Sequence, residues 1–287
     1  MLLLLVLAVT AHTAVKAQLL YEISGNGLKQ RSYLFAQYPL TDVSFLDSIP
    51  NLLKAYGRSE ALVLETAFNN IDAQEAIAMA ASMPDSINYG DLLTTTQYEL
   101  LDRTLYERTH LTLEQLGRIR PVALGQMLLE QLYARNMRYD ERRSAENFFQ
   151  KVASQQNHPI IGLDNREEAL HILFSREPIE HQAQDLMNLI TNPERELAQA
   201  RELIRLYRDG RLTEMVYTIR TPENRTFISY SDYLAYSRRN TRWAEQLSVL
   251  MQQQSCFVAL NAIYLGGDDG LIQKLRRAGY KVKAASK

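Results

Sequence analysis

The sequence predicts an α/β fold, in which a central mixed β-sheet is wrapped by helices and a helical segment occupies the middle of the chain. Short apolar runs typical of buried strands lie near both ends of the 287 residues. Between them, apolar residues recur at three- and four-residue spacing, which is the period of amphipathic helices. Strands that alternate with helices favour a sheet with both faces covered.

The strands are predicted from local pattern. A hairpin is predicted over residues 19–35, because Asn26-Gly27 suits a tight primed turn between apolar and aromatic runs. Three continuous apolar runs, bounded by polar residues, fit strands buried on both faces: EALVLET (60–66), HPIIGLD (158–164) and CFVALNAIYL (256–265). YKVKA (280–284) ends the chain with the period-two alternation of a half-buried strand.

The helices are predicted from apolar spacing and from their start and stop signals. Two helices are expected within residues 178–209, broken at Asn192-Pro193. A last helix over Leu271–Ala278 has Asp268 or Asp269 as its expected N-cap and Gly279 as its stop. The remaining predicted helices cover residues 73–83, 121–136, 144–156 and 231–254.

Composition excludes several classes of protein. With 46% hydrophobic residues the chain can bury a large core, and its formal net charge of −1 argues against a nucleic-acid-binding surface. The single cysteine, Cys256, excludes an internal disulfide and any multi-cysteine metal site.

The N-terminus resembles a secretory signal peptide. An apolar run, Leu2–Val9, precedes small residues, and Val15 and Ala17 fit a cleavage pattern before Gln18. We therefore predict a signal peptide over residues 1–17 and a single domain over 18–287, secreted or periplasmic. No later segment is long and apolar enough to cross a membrane, so the mature chain is expected to lack a transmembrane segment.

Polar side chains follow several of the predicted strands. Glu65 ends one strand, Asp164 a second, and Asn261 with Tyr264 a third. Open α/β sheets bind ligands in the crevice at the carboxyl ends of their strands, so these residues are candidates for one site. The alternative is that each side chain leaves the core for solvent or caps the next helix. Nucleophile-elbow, phosphate-loop and zinc-binding motifs are absent from the sequence.

Five blocks of the sequence resemble the TraB/GumN family, which includes the Tiki-like proteases. They occur in the family's order from Leu19 to the C-terminus: residues 19–40, SEALVLET, HPIIGLDNREEAL, YSRRNTRWAEQL and 257–284. The resemblance implies a central sheet wrapped by helices, with both ends of the chain contributing to one cleft.

The resemblance also implies which residues line that cleft. The family has two G-x-x-H motifs, but the matching segments here are Ala36-Gln37-Tyr38-Pro39 and Asn261-Ala262-Ile263-Tyr264, so both histidines and both glycines are replaced. The family's later glutamate is Asp164 here. The implied cleft positions are Gln37, Pro39, Glu65, Asp164, Arg239, Asn240, Asn261 and Tyr264.

These replacements predict loss of the family's metal chemistry. Relatives with both histidines are expected to hold a divalent metal that activates water for peptide hydrolysis. Proline has no side-chain donor atom, and forming the phenolate of Tyr264 at pH 7 costs about 4 kcal/mol. We therefore predict no metal and no cofactor. The favoured function is that of a pseudoenzyme, which binds a peptide, protein or small-molecule ligand and no nucleic acid.

Two other functions stay open at this point. In a metal-dependent hydrolase or peptidase with a rebuilt site, Glu65 and Asp164 would hold a metal or act as acid and base, with Tyr264 or Gln37 stabilising charge. The second open function is haem binding through Tyr264 or Tyr38, since tyrosinate can be an axial haem ligand.

Overall fold

A computed structural model of the chain describes residues 18–67, 71–221 and 233–285. The predicted signal peptide, residues 1–17, lies outside these ranges. The fold is mixed α/β, as predicted, with one six-stranded sheet among the described residues and helices packed against it.

The sheet is parallel on one side and antiparallel on the other. Its strand order is β4-β3-β5-β2-β1-β6. The first four strands in that order are mutually parallel, whereas β1 runs antiparallel to both β2 and β6. The carboxyl ends of four parallel strands therefore meet at one edge. The strand bounds are β1 Leu20–Ser24, β2 Ser32–Gln37, β3 Ala61–Leu64, β4 Ile160–Gly162, β5 Cys256–Asn261 and β6 Lys281–Ala284.

Helices fill the long connections between the strands. None of the helices in the described ranges has the length and apolar character needed to cross a bilayer. Their bounds are α1 Leu52–Tyr56, α2 Ile71–Ala80, α3 Tyr89–Leu92, α4 Thr95–Thr109, α5 Leu113–Leu116, α6 Pro121–Met137, α7 Ala145–Gln155, α8 Arg166–Phe174, α9 Ile179–Thr191, α10 Pro193–Arg208, α11 Leu212–Arg220, α12 Tyr233–Gln253 and α13 Leu271–Arg277.

The buried apolar side chains form two clusters. The sheet cluster surrounds β2 and β5 and includes Phe35, Phe149 and Phe257. The helical cluster lies between α4, α6 and α9. Helix α10 contributes to both, with Leu197 and Ala200 in the helical cluster and Leu203, Leu206 and Tyr207 in the sheet cluster. The two clusters are therefore joined by a continuous helix.

Three local predictions differ from the structure. β4 is an edge strand and only half-buried, because it pairs with β3 alone. β5 ends at Asn261, where the chain turns into a 3₁₀ helix over Ala262–Tyr264. The N-cap of α13 is Gly270 and neither of the two predicted aspartates. Asp269 instead accepts a hydrogen bond from Ser237 and forms an ion pair with Lys274. The primed turn at Asn26-Gly27 is confirmed, within a longer connection, by positive φ at both residues.

A candidate site at the carboxyl edge of the parallel strands

Four polar residues leave the parallel strands at the same edge. Gln37 is the last residue of β2 and Asn261 the last of β5, while Glu65 follows β3 directly. Asp164 comes two residues after β4, and its backbone N–H donates to the carbonyl of Glu65 at 2.8 Å. The predicted convergence of strand-end residues is therefore present.

Helix α12 supplies the positive charge at this edge. The Arg239 guanidinium donates from Nε to Asp164 Oδ2 at 3.0 Å and from Nη2 to Glu65 Oε2 at 3.1 Å. One buried cation thus bridges the two carboxylates that follow adjacent strands.

Asp164 uses its whole acceptor capacity. Oδ1 accepts from Arg242 Nη2 at 2.6 Å and from the indole nitrogen of Trp243 at 2.8 Å. Oδ2 accepts from both Nε and Nη2 of Arg239. A carboxylate offers about four lone-pair positions, so each of them has a donor here. The side chain is fully buried.

Glu65 is less completely engaged. Oε1 accepts the Asn261 backbone N–H at 2.9 Å, and Oε2 accepts from Arg239. Burial raises the pKa of Glu65, against the opposing effects of Arg239 and of the Asn261 N–H. About a fifth of its side chain remains exposed, so two lone-pair positions are open to a further partner.

A third carboxylate, Glu146, lies near Glu65. It sits in the first turn of α7, where Gln37 Nε2 donates to Glu146 Oε2 at 2.9 Å and Gln150 Nε2 donates to Oε1 at 3.0 Å. Burial raises the pKa of Glu146, and the negative charge of Glu65 raises it further.

Tyr264 is a packing residue in this arrangement. Its ring stacks on Tyr236 at a centroid distance of 5.6 Å and forms a T-shaped contact with Trp243 at a centroid distance of 5.0 Å. The Arg239 guanidinium carbon lies 4.5 Å from the centroid of the Tyr264 ring. Asn240 Nδ2 donates to the carbonyls of Tyr264 and Asp269, which fixes the turn after β5.

A cavity of about 240 Å³ lies beside these residues. Pro39 and Asn261 line it, together with Ile263 of the 3₁₀ helix and residues of α6. The positions that stand for the first family histidine and the second family glycine thus border the same space.

These residues do not fit a divalent metal. Pro39 has no side-chain donor atom, Tyr264 is a buried residue, and the lone pairs of Asp164 all accept hydrogen bonds. No group of three or more histidine, cysteine, aspartate or glutamate side chains arranged to hold a metal occurs within the described ranges. Glu65 keeps open lone-pair positions, but a single carboxylate that is already paired with the Arg239 cation supplies fewer ligands than a metal site needs.

Haem ligation finds no support in the environment of Tyr38 or Tyr264. Both side chains are buried, and burial raises the pKa of Tyr38 far above its ordinary value. Because a tyrosine ligand must lose its proton, this shift opposes ligation.

The sequence model of the TraB/PrgY/gumN family matches residues 19–284. The chain belongs to the TraB/PrgY/gumN family. The predicted family resemblance is therefore confirmed over nearly the whole chain. No curated protein and no solved structure matches this chain.

In this TraB/PrgY/gumN chain, all but one of the cleft positions implied by the resemblance lie at the carboxyl edge of the parallel strands. These are Gln37, Glu65, Asp164, Arg239, Asn240, Asn261 and Tyr264. The remaining position, Pro39, lines the adjoining cavity. Sequence reasoning missed Arg242, Trp243 and Glu146. The first two follow Arg239 by three and four residues, so helical spacing places them on one face and was a usable signal. Glu146 lies 109 residues from Gln37 in the sequence and contacts it only in the folded chain. No spacing in the sequence indicates that it belongs to this site.

Proposed function

We propose that this protein is a non-catalytic, ligand-binding member of the TraB/PrgY/gumN family. It holds a peptide, protein or small-molecule ligand at the carboxyl edge of the parallel strands. The supporting observation is the complete engagement of Asp164 by Arg239, Arg242 and Trp243. A general base or a metal ligand needs a free lone pair, and this carboxylate has all four positions occupied.

The alternative hydrolase with a rebuilt site rests on Glu65 alone. Its two open lone-pair positions and raised pKa suit a general acid or base. Its companion Asp164 is neutralised by two guanidinium groups, which disfavours a third positive charge at the same place.

A thermal-shift titration tests the proposal. The purified protein is titrated with zinc, manganese, cobalt and ferric iron, and digestion of a fluorogenic peptide library is followed in parallel. We expect no saturable rise in melting temperature and no cleavage. Glu65→Gln is the diagnostic variant. Glu168→Gln is its control, because Glu168 is a partly exposed carboxylate that pairs with Arg242 and forms no ion pair with Arg239 among the described residues. A metal-dependent rise that Glu65→Gln abolishes and Glu168→Gln preserves would overturn the proposal.

We also propose that the protein is exported, on the strength of the apolar run and the small-residue cleavage pattern before Gln18. Expression of the full chain in a Gram-negative host, followed by N-terminal sequencing of the periplasmic fraction, tests this. A mature N-terminus at Gln18 is expected. An intact Met1 terminus in the cytoplasmic fraction would contradict export.

A further inference from the structure

A second cavity, of about 200 Å³, is lined by residues of α1 and of the antiparallel half of the sheet. Tyr33 of β2, Glu22 of β1 and Ala55 of α1 are among them. Tyr33 and Gln37 lie four residues apart on β2, which is about 13 Å of extended strand. The lining shares no residue with the cluster at the carboxyl edge. This cavity is therefore separate from the site described above.

The lining of this second cavity is strongly cationic. Lys54 lies in α1, Arg58 follows that helix by two residues, and Arg31 directly precedes β2. Glu22 is the acidic member of the lining, and it accepts a hydrogen bond from Arg31 Nη1 at 2.9 Å. Three positive charges and one negative charge leave an excess of two positive charges around the cavity.

Two of these cations have no acidic partner. The side chains of Lys54 and Arg58 form neither a hydrogen bond nor an ion pair with any group in the described part of the chain. They are four residues apart, a spacing at which like charges on a helical turn repel each other. An anion between them would relieve this repulsion. Because both side chains are exposed, however, their charge alone does not define a site.

Tyr33 supplies a second, independent observation. Only 6% of the residue is exposed, and its hydroxyl forms no hydrogen bond with a described group. The Tyr133 hydroxyl is also unpartnered, but it is sealed from solvent, whereas the Tyr33 oxygen stays open to water. Polar groups of buried residues are nearly always hydrogen-bonded. An open hydroxyl in the wall of a cationic cavity is therefore a donor for an anionic oxygen.

We propose that this cavity binds a phosphate group, either as the free ion or as the end of a small phosphate ester. The guanidinium groups of Arg31 and Arg58 match pairs of phosphate oxygens, and Lys54 adds a point charge. Tyr33 donates from the sheet side. A phosphate carries up to two negative charges at neutral pH, which equals the excess positive charge of the lining, whereas a carboxylate carries one.

The volume of the cavity admits either form of the ligand. A cavity of about 150 Å³ is large enough to hold benzene. At about 200 Å³, this one has room for a phosphate group with a small organic substituent. The inference goes beyond the proposed function, because it concerns a second site on another part of the sheet.

Three probes separate phosphate from other anions and the ion from its esters. Phenyl phosphate and benzoate share an aromatic ring and differ in the anionic group, while inorganic phosphate lacks the ring. Dissociation constants for the full chain are measured by protein-observed NMR titration at low ionic strength and pH 8, where phosphate is a dianion. We expect phenyl phosphate to bind about tenfold more tightly than benzoate. Tighter binding of inorganic phosphate would identify the free ion as the ligand, and the reverse order would identify an ester.

Matched variants assign the binding to this cavity. Lys54→Gln should weaken phenyl phosphate about two- to fivefold. Lys151→Gln, the same change in an exposed lysine of α7, should leave it unchanged. Tyr33→Phe should weaken phenyl phosphate about tenfold, which is the effect of one hydrogen bond to a charged group. Tyr280→Phe, the same change in another buried tyrosine outside the cavity, should have no effect.

Several results would overturn the inference. Equal weakening in Lys54→Gln and Lys151→Gln would mean that phosphate follows the overall charge of the protein. Absence of phosphate binding, equal affinity for benzoate, or unchanged affinity in Tyr33→Phe would also reject the site. The metal titration at Glu65 reports on a different cluster of residues, so failure of either proposal leaves the other standing.

Discussion

Asp164 and Glu168 share Arg242 as a partner but differ in everything else around them. Asp164 is fully buried and receives donors from Arg239, Arg242 and Trp243, whereas Glu168 is about one-third exposed and forms an ion pair with Arg242 at 2.9 Å. Desolvation makes a buried charge costly once its partner is lost, while solvent screens an exposed one. The two residues therefore form a matched pair for measuring the effect of burial.

Asp164→Asn should lower the free energy of unfolding by about 3–5 kcal/mol, because Arg239 then keeps its charge in a buried setting with one fewer anion. Glu168→Gln should cost no more than about 1 kcal/mol. Urea unfolding of both variants measures the difference. Equal effects would mean that water reaches Asp164 and screens it.

The raised pKa of Glu146 predicts a pH dependence of stability. A carboxyl group with a higher pKa in the folded chain binds more protons there, so its stabilising contribution is present at low pH. That contribution is lost as the pH rises from the ordinary carboxyl range through the folded-state pKa. Glu146→Gln should therefore gain stability relative to the parent protein as the pH increases.

Urea unfolding between pH 4 and pH 8 measures this dependence. Glu114→Gln is the control, because Glu114 is an exposed residue that also lies in the first turn of a helix, α5. A stability difference between Glu146→Gln and the parent that stays constant with pH would contradict the prediction.

Residue positions at this site were predictable to different degrees. Glu65, Asp164 and Asn261 follow strands that parallel pairing brings to one edge, so their proximity follows from local pattern. The bridge through Arg239 was not predictable, since it depends on where α12 crosses that edge. The same limitation applies to Glu146, whose helix reaches the site through tertiary packing.

At the scale of elements, the turn after β5 and the start of α11 approach each other closely. A Cβ atom on Gly266 would lie 2.4 Å from both the carbonyl carbon and oxygen of Leu212. The neighbouring Gly267 N–H donates to Thr213 Oγ1 at 3.1 Å, which holds the two segments together. Only a residue without a side chain fits at Gly266.

Gly266→Ala should lower the free energy of unfolding by about 1–3 kcal/mol, because backbone must move to relieve the overlap. Gly57→Ala provides the control: its φ is −66°, and the nearest atom to an added Cβ is 3.4 Å away. That control should change stability by less than about 1 kcal/mol. Urea unfolding checks both, and indistinguishable variants would show that the turn relaxes freely.

Helices with a wide apolar face were the easiest elements to predict. The break between α9 and α10 falls at Asn192-Pro193, as expected from the missing proline N–H. Helix α4 was missed because it buries few apolar residues, chiefly Leu101 and Leu105, and its remaining surface is polar. The half-burial of β4 was also missed, since an apolar run does not reveal whether a strand lies at an edge.

At the scale of the whole molecule, α10 links the sheet cluster to the helical cluster. Its N-terminal half packs between helices and its C-terminal half packs on the sheet. If either cluster unfolded alone, the half of α10 that packs in it would expose its apolar side chains to water while the other half stayed packed. Because this exposure is unfavourable, the two clusters are expected to unfold together. The single domain over residues 18–287 stays a prediction, and coupled unfolding of the two clusters is what it requires.

Urea unfolding followed by two signals tests this coupling. Trp243 is the single tryptophan of the chain and lies in the sheet cluster, so its fluorescence reports that cluster. Far-ultraviolet circular dichroism reports the helices throughout the chain. Coincident midpoints are expected. An earlier circular-dichroism transition would identify the helical middle as a separate unit.

The edge strands of the sheet bear on how the protein behaves in concentrated solution. β6 presents Lys281 and Lys283 on its exposed face, and β4, at the other end of the described strand order, spans only Ile160–Gly162. A charged edge repels an approaching strand, and a three-residue edge offers too few hydrogen-bonding groups to template one. Both ends of the sheet are thus poor seeds for cross-β growth, so the folded protein is expected to resist edge-to-edge aggregation at high concentration.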